Sequence, residues 1–355
     1  MKNKTYIWIT LVLTLLLLLG FGSITLIVDP LFHYHAPLKS LQYPLFDERY
    51  MNYGIVRNFE YDSIITGTSM TENFKVSQFD SYFGTTTVKV PFSGATYHEV
   101  HNILEQAFAH NDDIRYVMFS LDPTALIADK DSLSYSEYPD YLYDDNILND
   151  VYYLLNKDIY KTFTDYVFIY TKLGGQFVGF DAYKNWADNY EYDYDKMLNA
   201  YTRPAEAAEE TPLTDDDIAM LTDNVNANII SLAASHPDTE FYLFIPPYSL
   251  TFFDSMQRCG ALKKVLDSWQ LEARLLLEYD NIHLFIFFDE YEMIADLSNY
   301  RDQIHYSQEV SDYIIDCMAA GEHEVTSRNL AAYFDRLRSY YFNYDYDATF
   351  SSCER

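Results

Sequence analysis

The chain has 355 residues, 49% of them apolar, with 11 Pro and 11 Gly; that is enough for one large domain or two ordinary ones and unlike a disordered or fibrous chain. Its 24 Lys and Arg face 54 Asp and Glu, and the net charge of −30 repels polyanions, which excludes nucleic acid as a partner. The 35 Tyr and 24 Phe point to a well-packed core rather than an aromatic-poor acidic tail.

The first element is an anchor. Tyr6 to Val28 carries no charged residue, and these twenty-three residues suffice for a hydrocarbon core of about 30 Å. Lys2 and Lys4 precede the run and Asp29 follows it. By the positive-inside rule residues 1–5 form a cytoplasmic tip, residues 6–28 a signal anchor in the bilayer, and the remainder lies outside. The run exceeds the roughly 7 to 15 residues of a signal-peptide core, and no small-x-small cleavage site follows it. Without residues 1–28 the chain keeps 22 basic and 54 acidic groups, so all the acidity is extracytoplasmic. Cys259, Cys317 and Cys353 are widely spaced; they offer no disulfide framework beyond at most one bridge and no metal-ligand spacing. Export with so little cysteine suggests a bacterial surface.

Residues 29–60 read as a connector without a clear period, in which His33 and His35 flank Tyr34 just outside the membrane as interfacial contacts. Beyond it, short apolar runs predict strands at Ser63–Thr66, Thr87–Phe92, Arg115–Leu121, Glu240–Pro246 and Ile282–Phe288. They are near-continuously apolar rather than alternating, as parallel strands covered on both faces are. Helical patterns at Tyr97–Ala109, Asp215–Ser235 and Ala261–Tyr279 supply crossovers. The expected class is α/β, a doubly wound five-stranded parallel sheet within residues 61–321. Residues 130–212 interrupt it as a Tyr/Asp-rich, mostly helical insertion ending in an acidic loop, Pro204-Ala-Glu-Ala-Ala-Glu-Glu. Residues 322–355 read as a C-terminal helix and tail.

Ligands of open parallel sheets sit beyond the carboxyl ends of the strands. The first strand delivers Gly67-Thr68-Ser69, a serine at a strand-to-helix turn with backbone donors beside its hydroxyl. The second delivers Ser93-Gly94, the third Asp122, and the fourth Pro246-Pro247-Tyr248-Ser249. Asp302-Gln303-Ile304-His305 follows the fifth, before a helix starting near Ser307. Nucleophile, base and orienting acid thus fall where one pocket could gather them. Singly each has a plain reading, as a turn, a helix cap or a surface histidine; their joint occurrence at successive strand ends makes the pattern. His98 and His101, at i and i+3 on a helix without a third ligand, read as a surface face and not a metal site. No metal or cofactor is expected.

On these residues the chain resembles the SGNH (GDSL-like) hydrolases: Ser69 in Ile64-Ile65-Thr66-Gly67-Thr68-Ser69, Gly94 in Pro91-Phe92-Ser93-Gly94-Ala95, and Asp302-x-x-His305. More narrowly it is similar to their membrane-anchored branch, which includes the D-alanine transfer protein of teichoic-acid modification and alginate O-acetyltransferases. The resemblance covers about residues 60–321 with gaps. It implies a flavodoxin-like sheet, Ser69 as nucleophile, His305 as base, Asp302 as its partner, and an oxyanion hole from the Ser69 and Gly94 amides. It also implies a multi-spanning membrane O-acyltransferase as partner and a cell-surface glycan as substrate. Two positions depart from the pattern; the smaller departure is Thr68 in place of the familiar aspartate, which is not the nucleophile. Where the family offers an asparagine side chain to the oxyanion, this chain has Asp122, whose ionised carboxylate would repel developing negative charge. Asp122 is therefore expected to face away, to be protonated or to do another job. The function expected is a serine esterase or O-acyltransferase acting on acyl, chiefly acetyl, groups of a cell-envelope polysaccharide. The rival is a catalytically silent glycan-binding or assembly protein with the same fold. The acidity favours a neutral glycan over an anionic polymer, unless the pocket rim escapes the average.

Overall fold

The computed structural model describes residues 2–135, 139–144, 146–205 and 209–353. Part of the acidic loop, residues 206–208, lies outside the described residues, as do 136–138 and 145 of the Tyr/Asp-rich segment. The chain divides into two compact units, one made of residues 1–60 and 135–179, the other of 61–134 and 180–355.

The first unit begins with helix α1 (Lys2–Val28), long and apolar enough to cross a membrane. Over residues 4–19 its side chains are exposed on every face, Leu17 to 74%, as suits a lipid solvent and not a protein core, whereas Thr25 and Val28 near its end are buried. After it the chain turns at Asp29, whose buried carboxylate accepts the amides of His33 (3.0 Å), Tyr34 (2.7 Å) and His35 (2.8 Å) and the hydroxyl of Tyr153 (2.7 Å). His33 is buried beside Asp150 (3.3 Å), so it is a packed histidine rather than an interfacial one. The stretch without a legible period carries helix α2 (Glu48–Asn58), capped by Asp47. Gly54 lets it pack directly on the chain after α1, since a Cβ there would stand 2.0 Å from the Leu31 carbonyl.

The second unit holds the sheet. Strands β1 (Ser63–Gly67), β2 (Thr87–Pro91), β3 (Tyr116–Ser120), β4 (Glu240–Ile245) and β5 (Ile282–Ile286) run parallel, and β6 (Glu324–Val325) pairs antiparallel with β5. The order is β2-β1-β3-β4-β5-β6. The sheet therefore has six strands and not five. Two residues are too short to show a period, and they add only an edge pairing of Leu284 with Val325 and Phe285 with Glu324. The registers Ile64↔Val88, Ile64↔Val117, Phe119↔Leu243 and Leu243↔Leu284 bring apolar side chains into rows that are buried throughout.

Helices α3 (Val76–Phe83) and α4 (Tyr97–His110) make the first two crossovers, and α4 starts on a Thr96/Glu99 capping box. From β3 to β4 the chain passes through α5 (Asp215–Val225), a π turn at Asn226–Ile230 and a last turn at Ser231–Ser235. Between β4 and β5 lie α6 (Leu250–Arg258) and α7 (Leu262–Leu276). Helix α8 (Gln308–Ala320), capped by Ser307, leads to β6, and α9 (Leu330–Asn343) follows. Residues 130–212 hold short helices, such as Val151–Leu154, Asp165–Lys172 and Tyr194–Ala200, joined by long non-helical stretches. Part of the tyrosine excess is interior. Tyr248, Tyr300, Tyr306, Tyr333 and Tyr341 are buried rings whose hydroxyls reach carbonyls or a carboxylate, as at Tyr341 to the Phe288 carbonyl (2.7 Å). Cys259, Cys317 and Cys353 are all free thiols.

Candidate active site

The chain runs from β1 outward to β2 and returns to β3 on the other side of β1, so a crevice opens beyond the carboxyl end of β1. Gly67 closes the strand with φ +133°, a conformation that favours glycine; a Cβ there would stand 2.5 Å from the Ser120 hydroxyl. Thr68 then caps a single 3₁₀ turn, Ser69–Thr71, by accepting the Met70 amide (3.2 Å). This turn lifts the Ser69 side chain out of the strand end.

His305 comes from the other end of the sheet. An antiparallel bridge between Tyr300 and Tyr306 closes a short loop, with the Arg301 amide on the His305 carbonyl (2.8 Å). Asp302 Oδ1 accepts the amides of Ile304 and His305, both at 3.0 Å, so the carboxylate is set by its own turn. The amide and hydroxyl of Ser249 both reach the Gln303 carbonyl (3.0 and 2.9 Å). The Tyr306 hydroxyl donates to the Met70 carbonyl (2.8 Å), tying the loop to the residue after Ser69. The outcome is a continuous chain of hydrogen bonds: Ser69 Oγ to His305 Nε2 at 2.8 Å, and His305 Nδ1 to Asp302 Oδ2 at 2.8 Å. With Nδ1–H on the carboxylate, Nε2 is left to accept the hydroxyl proton. Burial works to raise the Asp302 pKa, but the hydrogen bonds from His305 and the two amides outweigh it and hold the carboxyl below its ordinary value.

Gly94 sits at the end of β2 with φ +67°. Among the described residues neither its amide nor that of Ser69 meets an acceptor. Asp122 has another job. Buried at the end of β3, it accepts from Thr68, from Ser120 (3.2 Å) and from Tyr248 (2.5 Å), and so ties together the ends of β1, β3 and β4. Burial pushes its carboxyl up, against the pull of those three hydroxyls. Its oxygens are committed, and it contributes no donor to an oxyanion. Ser93 donates to the Glu72 carboxylate.

Three further residues brace the crevice. Lys89, in the middle of β2, is fully buried, and its Nζ donates to the carbonyls of Glu72 (2.5 Å) and Phe74 (2.9 Å), just after the Ser69 turn. Burial pushes its amine down to about 7, opposed by Asp181, Glu72 and Asp188 and assisted by Lys75. Asn73 Oδ1 accepts the amides of Trp186 and Ala187, both at 3.1 Å. Trp186 in turn packs edge-on against His305 with centroids 5.4 Å apart. The one signal of these in the sequence is a lysine inside the apolar run Thr87–Pro91; Asn73 and Trp186 have no local signature. His98 and His101 both face Asn228, and among the described residues no group of three His, Cys, Asp or Glu is placed to hold a metal.

No protein-family model and no curated protein matches the chain. Among solved structures it is similar to a chain from Streptococcus pneumonia whose description names a platelet activating factor, with TM-score 0.39 and 12% identity over 77% of this chain and 91% of that one.

Proposed function

We propose that the chain is a membrane-anchored, extracytoplasmic serine esterase or O-acyltransferase that removes or transfers an acyl group, chiefly acetyl, on a cell-envelope polysaccharide. The observation that carries this reading is the hydrogen-bond chain from Ser69 through His305 to Asp302, with links of 2.8 Å each. The strand order β2-β1-β3-β4-β5, shared with doubly wound flavodoxin-like sheets, supports the SGNH fold. The apolar, exposed α1 and the lysines before it support anchoring with the bulk of the chain outside. A multi-spanning O-acyltransferase would deliver the acyl group from the other side of the bilayer.

The chemistry follows from the placement of the protons. His305 Nε2 takes the Ser69 proton as Oγ attacks the ester carbonyl, and the imidazolium that forms is steadied by the ionised Asp302. The amides of Ser69 and Gly94 donate to the oxyanion; the loss of a third donor at Asp122 costs roughly 3–4 kcal/mol of transition-state stabilisation relative to a three-donor site. Collapse of the tetrahedral intermediate expels the alcohol, which receives the proton from His305 and leaves acyl-Ser69. Water or a sugar hydroxyl, deprotonated by the same His305, then takes the acyl group.

The test uses the full chain in detergent. A fluorophosphonate probe should label Ser69 covalently, and Ser69→Ala should abolish labelling while the fold is retained. A folded wild-type chain that stays unlabelled refutes the reading.

A further inference from the structure

From Gly22 onward helix α1 is no longer free on every side. Gly22, Thr25 and Val28 are buried, whereas Ile24, Leu26 and Ile27 stay exposed, so protein covers one face and leaves the other open. The cover at Phe21 and Gly22 comes from residues 155–160. Leu155 packs on Gly22, where an added Cβ would stand 3.2 Å from the Leu155 Cδ2, and the Tyr160 ring lies 4.7 Å from that of Phe21. This contact fixes a depth. The helix rises about 24 Å over the sixteen residues from Tyr6 to Gly22, less than a hydrocarbon core of about 30 Å. With Tyr6 at the inner boundary, Leu155 therefore stands within the outer leaflet.

The neighbours of Leu155 in the chain suit that solvent. Ile147 is exposed to 78% and Leu148 to 83%, and the helix Asp165–Lys172 with its cap Leu173 presents Tyr166, Ile169 and Leu173 on one exposed face at i, i+3 and i+7. Outside α1, ten of the fifteen exposed large apolar side chains among the described residues fall between Ile147 and Phe177. They are concentrated and not scattered, which marks a contact surface. The stretch is also neutral. Over residues 147–177 Lys157, Lys161 and Lys172 balance Asp150, Asp158 and Asp165, so the net −30 lies in the rest of the chain. An anionic leaflet does not repel such a surface, and exposed lysines can lay their stems along it with the amines at head-group level.

We propose that residues 147–173 form a second membrane contact, short helices that lie in the outer-leaflet interface beside α1; the proposal rests on the reading of α1 as a bilayer anchor. The partner is the lipid surface itself. A lone spanning helix sets the distance of the attached chain from the bilayer but leaves it free to swivel. A lipid contact to one side of that helix also fixes the height and rotation of the first unit.

The experiment uses the full chain in vesicles of phosphatidylcholine and phosphatidylglycerol, photolysed with a lipid-soluble aryl diazirine, and maps the labelled peptides by mass spectrometry. Label is expected in α1 and also in residues 147–156 and 165–173, with the buried strand β4 as background. Label in α1 alone overturns the second contact and leaves the anchor standing. If α1 itself stays at background, the anchor reading beneath the proposal falls. A nitroxide at Leu148→Cys, with Leu17→Cys as the reference within α1 and the exposed Cys259 replaced by serine, gives an independent measure. At both positions collisions with oxygen should exceed those with a water-soluble nickel chelate several-fold. The reverse ratio at Leu148 with the expected one at Leu17 overturns the second contact. A nitroxide at Leu148 shielded from both reagents shows a second copy of the chain on this face and overturns it as well.

Discussion

Replacing Lys89 by methionine tests how the crevice is braced. The amine has an ordinary value of 10.5 and stands at about 7 in the fold, which corresponds to about 5 kcal/mol of burial penalty carried by the charged form. The unfolded chain holds this proton up to about pH 10.5 and the folded chain releases it near pH 7. The penalty is thus fully present below pH 7, and wild-type stability rises as pH climbs from there. Between pH 6.5 and 9 the gain from this one group is about 2–3 kcal/mol. Lys89→Met lacks the titration but leaves the Glu72 and Phe74 carbonyls without their donor, at roughly 1–3 kcal/mol each. The variant should be less stable than wild type at pH 9, and the gap should narrow by about 2–3 kcal/mol at pH 6.5. Urea unfolding of both full chains in detergent, followed by near-ultraviolet circular dichroism at several pH values, measures the gap. Titrating groups that do not interact with Lys89 cancel in the difference, and the acids that do, Asp181, Glu72 and Asp188, are of a kind that titrates below this pH window. A gap that stays constant with pH refutes the depressed amine. Because the same carbonyls follow Ser69 directly, the variant should also react more slowly with a fluorophosphonate.

Two further substitutions probe the catalytic geometry. Gly67→Ala forces a side chain into φ +133° and a Cβ within 2.5 Å of the Ser120 hydroxyl, which should cost about 2–4 kcal/mol and slow Ser69 labelling; an unchanged thermal midpoint would contradict the close approach. Asp302→Asn keeps the shape of the turn but removes the charge that fixes the His305 tautomer, so ester turnover should fall roughly 10⁴-fold while the protein stays folded. A loss under about tenfold would show that Asp302 is not the orienting group. Since its hydrogen bonds hold the Asp302 carboxyl below its ordinary value, its support of His305 is present above about pH 4 and lost only as pH falls through the lowered value. A wild-type rate profile with its acid limb well above that range would therefore report another group.

The features legible in the sequence are those written locally. A charge-free run of twenty-three residues specifies α1 by composition, because a helix long and apolar enough to cross a membrane is recognisable without its neighbours. The five parallel strands are near-continuously apolar because both faces are covered, and that pattern survives without knowledge of the neighbours. Ser69, Gly94 and Asp302-x-x-His305 stand out as polar or small residues at strand ends, where an open sheet presents its ligands.

Everything that depends on meeting a distant residue was decided by the tertiary structure. Ser69 and His305 are 236 positions apart, and their 2.8 Å contact is set by the Tyr306–Met70, Ser249–Gln303 and Tyr300–Tyr306 links, none of which leaves a period in the chain. Asp122 is an acid at a strand end in the sequence; only the convergence of Thr68, Ser120 and Tyr248 turns it into a buried brace. The same holds for β6 and for the grouping of residues 135–179 with 1–60. Local periodicity records which face of an element is buried, but a hydrogen bond or a ring contact between remote segments is specified by the three-dimensional path of the backbone.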